Sequence, residues 1–312
     1  MTFTQALKLA AARLTAGRIN LPHLEAEILL SGILRKPREF LLAHGEKALT
    51  NIQYTKYKIQ ISRRLKGEPI AYITGHKEFY GLDFLVNKNV LIPRPETELM
   101  VDEAANLVAH NSQLVTLIDV GTGSGCIIIA LAKLIKNYQP ERPVRMARPG
   151  GLKITNYKLT GTDISSEALT VARKNAQLHR ISKQIKFIRG DLLKPIVYNH
   201  KFVIRNSKLI ILSNLPYLTP SQIQNSPTIK YEPKLALAAG ADGLKYYQKL
   251  FQQIQALRVT RCALRDVTVF CEIDPRQTEL MRQLVKRYFP KASLEIKKDL
   301  AGLDRLAIIR KL

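Results

Sequence analysis

The chain has 312 residues with 46% hydrophobic content, which is enough apolar material for one large and one smaller domain and excludes a disordered protein. Its formal net charge is +24, from 49 Lys and Arg residues against 25 Asp and Glu residues, which is typical of proteins attracted to nucleic acid and equally of an organism-wide basic composition. Three irregularly spaced cysteines argue against a disulfide framework or a zinc site, and the apolar runs are too short to span a membrane, so we expect neither a metal nor a membrane partner.

The first 67 residues have the pattern of a small helical bundle. Apolar residues recur at helical spacing at Phe3, Leu7, Ala10 and Leu14, and again at Ala26, Leu29 and Ile33. Residues 51–66 continue without Gly or Pro. Gln5, Lys8 and Arg13 fall within the first apolar pattern, so it is not that of a signal peptide, and we expect a cytoplasmic protein.

Residues 68–92 change to aromatic and β-branched residues punctuated by Gly75 and Gly81, which predicts a β-hairpin linker. The segment Pro93-Arg94-Pro95 then stops any regular element, because proline fixes its own φ and restricts the residue before it. A third region, residues 93–312, is therefore expected to form the large domain.

After Glu96 the sequence alternates between apolar strands and amphipathic helices. Seven strands are predicted, at residues 114–120, 159–164, 185–188, 209–213, 267–273, 294–297 and 306–309. Between them, residues 126–136 are predicted to be helical, and Ser165 or Ser166 to cap a further helix. This order predicts an α/β fold with a doubly wound, mostly parallel seven-stranded sheet whose last two strands form a hairpin at one edge. Such sheets bind ligands at the carboxyl ends of their strands.

The first predicted strand ends in a glycine-rich turn, Gly121-Thr122-Gly123-Ser124-Gly125. Glycines let the backbone approach a ligand closely, and the helix that follows offers free N–H groups to an anionic or nucleoside cofactor. The G-x-G-x-G spacing differs from the G-x-G-x-x-G fingerprint of dinucleotide enzymes. The turn alone is therefore a weak signal, and the residues around it decide more.

Acidic residues stand at three successive strand ends. Asp163 is placed to accept hydrogen bonds from both hydroxyls of a ribose, and Asp191 to meet an adenine amino group while Leu192 covers the ring. Asp119 precedes the glycines, where it orients either the loop or the ammonium group of the cofactor. Nothing in the sequence resembles a second nucleotide half, so S-adenosylmethionine fits these residues better than a dinucleotide.

The segment Asn214-Leu215-Pro216-Tyr217 directly follows the fourth predicted strand. An amide or exocyclic amine has a delocalised lone pair, so a site that methylates it must present acceptors to its two N–H groups. The Asn214 side-chain carbonyl and the Leu215 backbone carbonyl, held by Pro216, supply those acceptors, and Tyr217 packs on the planar group. These residues predict a methyltransferase acting on a planar nitrogen, in which orientation contributes up to about 7 to 11 kcal/mol.

Motifs spread over nearly the whole chain resemble those of the peptide-chain-release-factor N5-glutamine methyltransferase family. They are Gly67-Glu68-Pro69, Tyr72-Ile73-Thr74-Gly75, Pro93-Arg94-Pro95-Glu96-Thr97-Glu98, the glycine turn, Asp163-Ile164-Ser165, Tyr231-Glu232-Pro233, Glu272-Ile273 and Asp299-Leu300-Ala301-Gly302. The Pro-Arg-Pro-Glu-Thr-Glu segment together with the helical N-terminus separates this family from most other methyltransferases. The resemblance implies a class I methyltransferase fold with S-adenosylmethionine as methyl donor.

The resemblance also implies a substrate, the glutamine of the Gly-Gly-Gln loop in bacterial class 1 peptide chain release factors, methylated on its side-chain nitrogen N5. The N-terminal bundle would dock that protein. Arg94, Glu96 and Glu98 would line the covering segment near cofactor and substrate, although a capped helix start is an alternative interpretation of the same segment.

Three features depart from the family pattern. The family usually has Asn-Pro-Pro-Tyr, and Leu215 here replaces the first proline, which keeps the backbone acceptor but reduces rigidity. Residues 133–158 and 194–208 are longer and more basic than expected at their positions. These two basic segments are either lineage-specific surface loops or contacts to the ribosome and its RNA.

Two other functions are compatible with parts of the sequence. In ribosomal RNA adenine N6-methyltransferases the motif is Asn-Leu-Pro-Tyr, as it is here, and a net charge of +24 suits binding to RNA. In such an enzyme the target base would have to leave its stack to reach the site. A basic ribosome-binding protein that keeps the fold without turnover is the third interpretation. The N-terminal bundle and the Pro-Arg-Pro-Glu-Thr-Glu segment argue against the RNA methyltransferase. The intact glycine turn, Asp163 and Asp191 argue against a protein without turnover.

Overall fold

The computed structural model describes residues 1–109, 114–137, 157–198, 207–224, 229–260 and 266–312. The described chain divides into two units, one made of Met1–His76 with Ile229–Tyr231 and the other of the remaining residues from Lys77 onward. Most of the two basic segments lies outside the described residues, as does Cys262.

The smaller unit is built from helices, as its sequence predicts. Its helices are α1 (Phe3–Ala16), α2 (Pro22–Leu34), α3 (Arg38–Ala43), α4 (Asn51–Leu65) and α5 (Ile70–Thr74). Thr2 and Thr50 cap α1 and α4 through capping boxes, which satisfy N–H groups that a helix leaves unpaired at its start. At the centre, Tyr57 is 1% exposed, and its hydroxyl donates to the carbonyl of Ala26 at 2.9 Å. The helical N-terminal region is therefore confirmed.

The hairpin is shorter than the region predicted for it. Strands β1 (His76–Phe79) and β2 (Leu82–Leu85) pair with each other and turn at Gly81, which has a positive φ. The preceding residues of the predicted linker contain α5 instead, so the prediction is wrong there. Pro69 before this helix and Gly75 after it, with φ +80°, are boundary signals of a short helix that the aromatic and β-branched pattern obscured.

Seven strands of the larger unit form one sheet. They are β3 (Leu114–Val120), β4 (Tyr157–Asp163), β5 (Ile185–Arg189), β6 (Ser207–Ser213), β7 (Val267–Glu272), β8 (Ser293–Lys298) and β9 (Asp304–Arg310). Their order is β5-β4-β3-β6-β7-β9-β8, with β9 antiparallel to both its neighbours and the other pairs parallel. This confirms the doubly wound, mostly parallel sheet with a hairpin at one edge. Val120 aligns with Thr162 and with Ser213, so the carboxyl ends of three strands lie side by side.

Helices cover both faces of this sheet. They are α6 (Glu98–Ala109), α7 (Cys126–Asn137), α8 (Ser166–Leu178), α9 (Lys194–Val197), α10 (Pro220–Gln224), α11 (Lys245–Thr260) and α12 (Thr278–Tyr288). In β6, Leu209 and Ile211 belong to one apolar core while Ile210 and Leu212 belong to the other, as strand alternation requires. Within the described ranges, none of the helices is long and apolar enough to cross a membrane.

Gly161 in the middle of β4 is expected to be intolerant of a side chain. A Cβ there would lie 2.9 Å from two ring carbons of Phe187 and 3.0 Å from the Thr122 hydroxyl oxygen. We expect Gly161→Ala to lower the free energy of unfolding by about 1 to 3 kcal/mol, because the packed ring cannot yield without strain. Urea unfolding of the purified variant measures this change.

The matched control is Gly32→Ala in α2, where a Cβ would meet only the Thr74 Cγ2 atom, at 3.9 Å. Replacing an exposed helical glycine is expected to raise the free energy of unfolding by about 0.5 to 1 kcal/mol. A Gly161→Ala protein as stable as the wild type would contradict the packing argument.

Candidate active site

A cavity of about 330 Å³ lies at the carboxyl edge of the sheet. Four segments that each follow a parallel strand line it, residues 121–124, 163–165, 190–192 and 214–216, together with parts of residues 88–97 and 233–236. The structure therefore brings most of the polar residues predicted from sequence together around one space. In the part of the chain that the structure describes, no cluster of three or more His, Cys, Asp or Glu side chains is arranged to hold a metal ion.

The glycine turn is held by backbone hydrogen bonds. The N–H groups of Gly121 and Thr122 both donate to the carbonyl of Thr162, at 2.9 Å each. All three glycines of the turn have positive φ, which other residues rarely adopt. A Cβ on Gly121 would lie 3.0 Å from the Leu215 Cδ2 atom, whereas one on Gly123 would meet no heavy atom nearer than 3.9 Å. Gly123 therefore leaves open space at the wall of the cavity.

Asp163 ends β4 and lines the cavity next to the glycine turn. Its Oδ2 atom accepts a hydrogen bond from the Gly123 N–H and its Oδ1 atom from the Ser165 N–H, both at 2.9 Å. Burial raises the pKa of this carboxyl, and the backbone donors oppose that rise. A carboxylate has lone pairs for further bonds, so Asp163 can also accept from two neighbouring hydroxyls of a ligand.

Asp191 and Leu192 line the cavity after β5. The Asp191 Oδ2 atom lies 2.6 Å from the Lys249 Nζ atom and 3.4 Å from the Lys194 Nζ atom. Partial burial raises the pKa of Asp191, but the two ammonium groups outweigh it and lower the pKa overall. Leu192 beside it adopts φ +54°, which presents its side chain from a tight turn. Asp191 is thus an ionised acceptor already shared with two lysines.

Asp119 is buried beneath the glycine turn and is not among the residues that line the cavity. Its Oδ2 atom accepts a hydrogen bond from the Thr122 hydroxyl at 2.6 Å, and within the described residues its Oδ1 atom has no hydrogen-bond partner. Burial raises the pKa of Asp119 to about 7, against the opposing effect of the Thr122 hydrogen bond. Of the two roles that the sequence leaves open, this placement favours orientation of the loop.

We expect Asp119→Asn to change how stability depends on pH. A carboxyl with a raised pKa stays protonated in the folded chain while the unfolded chain ionises, so wild-type stability falls as the pH rises from the ordinary value of 3.8 to about 7. The variant lacks this group and should lose less stability over that interval, by up to about 1.4 kcal/mol per pH unit.

Urea unfolding across this pH interval measures the effect. Glu39→Gln in α3, which removes an exposed carboxyl, is the control variant. Parallel curves for the wild type and Asp119→Asn would show that the raised pKa is wrong.

The segment 214–217 begins directly after β6. Asn214, Leu215 and Pro216 line the cavity. Among the described residues, neither the Asn214 Oδ1 atom nor the Leu215 carbonyl oxygen accepts a hydrogen bond, so neither oxygen is occupied by a protein donor. Tyr217 is not a lining residue, and its hydroxyl donates to the Glu272 Oε1 atom at 3.4 Å. Packing of Tyr217 on a bound planar group stays a prediction.

A chain of hydrogen bonds leads from Asn214 to a buried carboxylate. The Asn214 Nδ2 atom donates to the Thr97 Oγ1 atom at 3.0 Å, and the Thr97 hydroxyl donates to the Glu272 Oε2 atom at 2.7 Å. Thr97 and Glu272 are each only 2% exposed. Burial raises the pKa of Glu272 to about 7, and the Thr97 hydrogen bond and the Arg305 charge oppose that rise.

Arg94 and Glu232 join two segments that line the cavity. The Arg94 Nη2 atom lies 2.5 Å from the Glu232 Oε1 atom, and the Glu232 Oε2 atom accepts from the Ile92 N–H at 3.2 Å. The Glu232 side chain is only 3% exposed, so this ion pair is shielded from water on one side. Arg94 lines the cavity, whereas Glu96 is exposed and does not. Glu98 does not line the cavity either, and its Oε1 atom accepts from the Tyr80 N–H at 2.8 Å. Of the three residues that the sequence placed together, the structure therefore brings only Arg94 to the cavity.

Comparison with known proteins matches both parts of the chain. A family model of the PrmC N-terminal domain matches residues 5–75, and one of a methyltransferase domain matches residues 111–259. The release factor glutamine methyltransferase of Koribacter versatilis is 34% identical over 314 residues, 100% of this chain and 99% of the relative. The protein of that name from Bacillus subtilis is 33% identical over 311 residues, 97% of this chain and 96% of the relative. The chain belongs to the release factor glutamine methyltransferase family.

The family resemblance of the sequence motifs is confirmed, and with it an enzyme that transfers methyl groups. Solved structures of low sequence identity share the fold. The hMettl16 catalytic domain in complex with the MAT2A 3'UTR hairpin 1 is 13% identical, with a TM-score of 0.52 over 83% of this chain and 80% of that chain. At this identity the likeness concerns the fold alone, which is the predicted class I methyltransferase fold.

Sequence patterns identified the residues at the strand ends and missed the roles of three others, of which Thr97 also lines the cavity. No individual role was assigned from the sequence to Thr97, Glu232 or Glu272, although all three lie in motifs of the family. One signal could have found Glu272. Glu272 is the last residue of β7, in which every residue is buried, and a carboxylate in such a strand needs a hydrogen-bond partner.

Proposed function

We propose that this protein methylates the side-chain nitrogen N5 of the glutamine in the Gly-Gly-Gln motif of bacterial class 1 peptide chain release factors, using S-adenosylmethionine. The observation that carries the proposal is the pair of acceptors, Asn214 Oδ1 and the Leu215 carbonyl, on the wall of the cavity that also contains Asp163. The names of relatives aligned over nearly the whole chain support the substrate class.

The residues of the cavity fit S-adenosylmethionine. Gly123 leaves the space that a Cβ would fill, and Asp163 has acceptors for two ribose hydroxyls. Asp191 offers an acceptor to the adenine amino group and Leu192 an apolar contact to the ring. Asp119 acts from beneath by holding Thr122. When bound, S-adenosylmethionine supplies an electrophilic methyl group on a sulfonium that leaves readily.

The two acceptors explain how a weakly nucleophilic amide can react. Asn214 Oδ1 and the Leu215 carbonyl each take one N–H, which fixes the amide plane and turns the remaining lobe of the nitrogen toward the methyl donor. With the methyl donor bound, the N–C bond would form as the C–S bond of the sulfonium breaks, and the cationic nitrogen would then lose its proton to solvent. No strong base is needed before attack, because orientation lowers the barrier by up to about 7 to 11 kcal/mol.

Leu215 can serve in place of the usual proline because packing restores the rigidity that the ring would give. Its side chain is 2% exposed and reaches the backbone of Gly121. Pro216 after it further restricts the Leu215 backbone to extended conformations. The carbonyl that receives the substrate N–H is therefore held from both sides.

The release factor is the partner in this proposal. Arg94 on the cavity wall and Glu96 on the exposed side of the same turn are proposed to contact it, together with Pro216 and Tyr217. The helical region, residues 1–67, is proposed to dock the release factor, residues 68–92 to act as the linker and residues 93–312 to carry the chemistry.

Labelled S-adenosylmethionine tests the proposal directly. The protein is offered a class 1 release factor, the same factor with its Gly-Gly-Gln glutamine replaced, and ribosomal RNA in separate reactions. We expect label in the intact release factor only. Label in the RNA would instead support the ribosomal RNA adenine N6-methyltransferase, with the basic segments as its RNA contacts.

A further inference from the structure

The Asn214 amide could face the cavity with either its oxygen or its nitrogen, because rotation about χ2 exchanges two groups of similar size. Only Oδ1 can accept a substrate N–H, whereas Nδ2 would oppose that N–H with another donor. A site that binds an amide NH2 therefore needs a contact that fixes which atom of Asn214 faces the ligand.

Thr97 provides that contact. A threonine hydroxyl has one proton, and above a pH of about 7 the Glu272 carboxylate is ionised and can only accept. The Thr97 proton then lies on the 2.7 Å line to the Glu272 Oε2 atom. The Thr97 Oγ1 atom then offers lone pairs to Asn214, and the atom 3.0 Å away has to be the donor, Nδ2. The other atom of the amide, Oδ1, is left for the cavity.

The surroundings of Glu272 keep its carboxylate in place as the acceptor of the Thr97 proton. Water does not compete for the Thr97 proton, because both side chains are 2% exposed. The Tyr217 hydroxyl donates to the second oxygen of the carboxylate, at 3.4 Å. The titratable and charged groups around Glu272 are Tyr217 after β6, Glu96 before α6, Cys126 at the start of α7, Arg305 on β9, Tyr247 on α11 and Cys271 on its own strand.

We propose that Thr97 and Glu272 are positioning residues that hold Asn214 Oδ1 toward the cavity and so select a substrate group that donates N–H over one that only accepts. The inference rests on the proposed function and deepens it. It assigns the choice between an amide and a carboxylate of the same shape to two residues that act through Asn214.

Binding of the protein to a class 1 release factor tests this selection without turnover. The second ligand is the same factor with Gln→Glu at the Gly-Gly-Gln position, and no methyl donor is present. We expect wild type and Thr97→Ser to prefer the glutamine form by roughly tenfold or more, and Thr97→Val to lose most of that preference. Equal preference in wild type and Thr97→Val, or no preference in the wild type, overturns the inference.

Kinetics give a second readout. Thr97→Val is expected to lower kcat by roughly 10- to 100-fold with KM for S-adenosylmethionine unchanged, while Thr97→Ser stays near the wild type. Thr268→Val is the matched control, since Thr268 is a buried threonine of β7 that does not line the cavity. Loss of rate in Thr268→Val equal to that in Thr97→Val would reduce Thr97 to a packing role.

The dependence of kcat on pH tests the role of Glu272 even if Thr97→Val does not fold. Protonated Glu272 would donate to Thr97 and reverse the chain of hydrogen bonds, so wild-type kcat should fall as the pH drops below about 7. Glu272→Gln removes this titration and should give a flat profile, whereas Asp119→Asn should keep the wild-type midpoint whatever its rate. Identical profiles for wild type and Glu272→Gln would overturn the role of Glu272.

Failure of this inference and failure of the proposed function give different results. A wild type that labels the release factor together with an equally fast Thr97→Val overturns the inference alone. A wild type that labels no release factor overturns both, because a glutamine amide would then not be the group that Asn214 holds.

Discussion

The Asn214→Ala variant is expected to bind S-adenosylmethionine with nearly wild-type affinity and to methylate the release factor at least about 100-fold more slowly. The substitution removes the Oδ1 acceptor from the cavity wall and leaves the glycine turn, Asp163 and Asp191 in place. Equilibrium binding of labelled S-adenosylmethionine and single-turnover rates at saturating S-adenosylmethionine separate the two effects.

Ser213→Ala is the matched control for Asn214→Ala. Ser213 is the preceding residue, and its buried hydroxyl donates to the carbonyl of Phe270 at 2.7 Å without lining the cavity. The Ser213→Ala substitution changes the same end of β6 but keeps the Asn214 Oδ1 acceptor, so the methylation rate of this variant should stay close to that of the wild type. An Asn214→Ala protein that binds S-adenosylmethionine poorly but turns over normally once it is bound would contradict the assignment.

The Asp163→Ala variant is expected to show the reverse behaviour, with affinity for S-adenosylmethionine lowered by roughly 100-fold and turnover at saturation largely retained. Hydrogen bonds to a charged group each contribute about 1.5 to 3 kcal/mol, and Asp163 has acceptors for two ribose hydroxyls. The variant also loses the 2.9 Å contact that holds the Gly123 N–H. Titration of S-adenosylmethionine in binding and rate assays measures both constants.

Asp266→Ala is the control for Asp163→Ala. Asp266 precedes β7 at the opposite edge of the sheet, where its carboxylate lies 3.0 Å from the Lys208 Nζ atom, and its loss should change neither constant. If Asn214→Ala and Asp163→Ala lower affinity and turnover in the same proportion, the division between methyl-donor binding and substrate orientation is wrong.

The sheet could be predicted from sequence because its strands are short apolar runs that end in polar or glycine residues. The same regularity located the glycine turn, Asp163, Asp191 and Asn214, since all of them immediately follow or end a parallel strand. Helix α5 could not be predicted this way, because its residues have the β-branched and aromatic composition of a strand.

The hydrogen-bond chain behind Asn214 could not be predicted because it depends on contacts between distant parts of the chain. Thr97 lies 117 positions from Asn214 and 175 positions from Glu272. Only the pairing of β6 with β7 and the packing of the turn before α6 bring the three side chains together. Burial likewise favours one of the two roles predicted for Asp119, and no local pattern in the sequence indicates that burial.

Strands β4 and β6 each begin at the last residues of one basic segment, at the edge of the sheet opposite the cavity. Tyr157 pairs with Val115 and Ser207 with Leu114, at the amino edge of the sheet, while the cavity lies at the carboxyl edge. Each basic segment re-enters the sheet at one of these two starts. The register of β4 and β6 against β3 therefore holds Asp163 and Asn214 at the carboxyl edge, whatever the length of chain that precedes either strand.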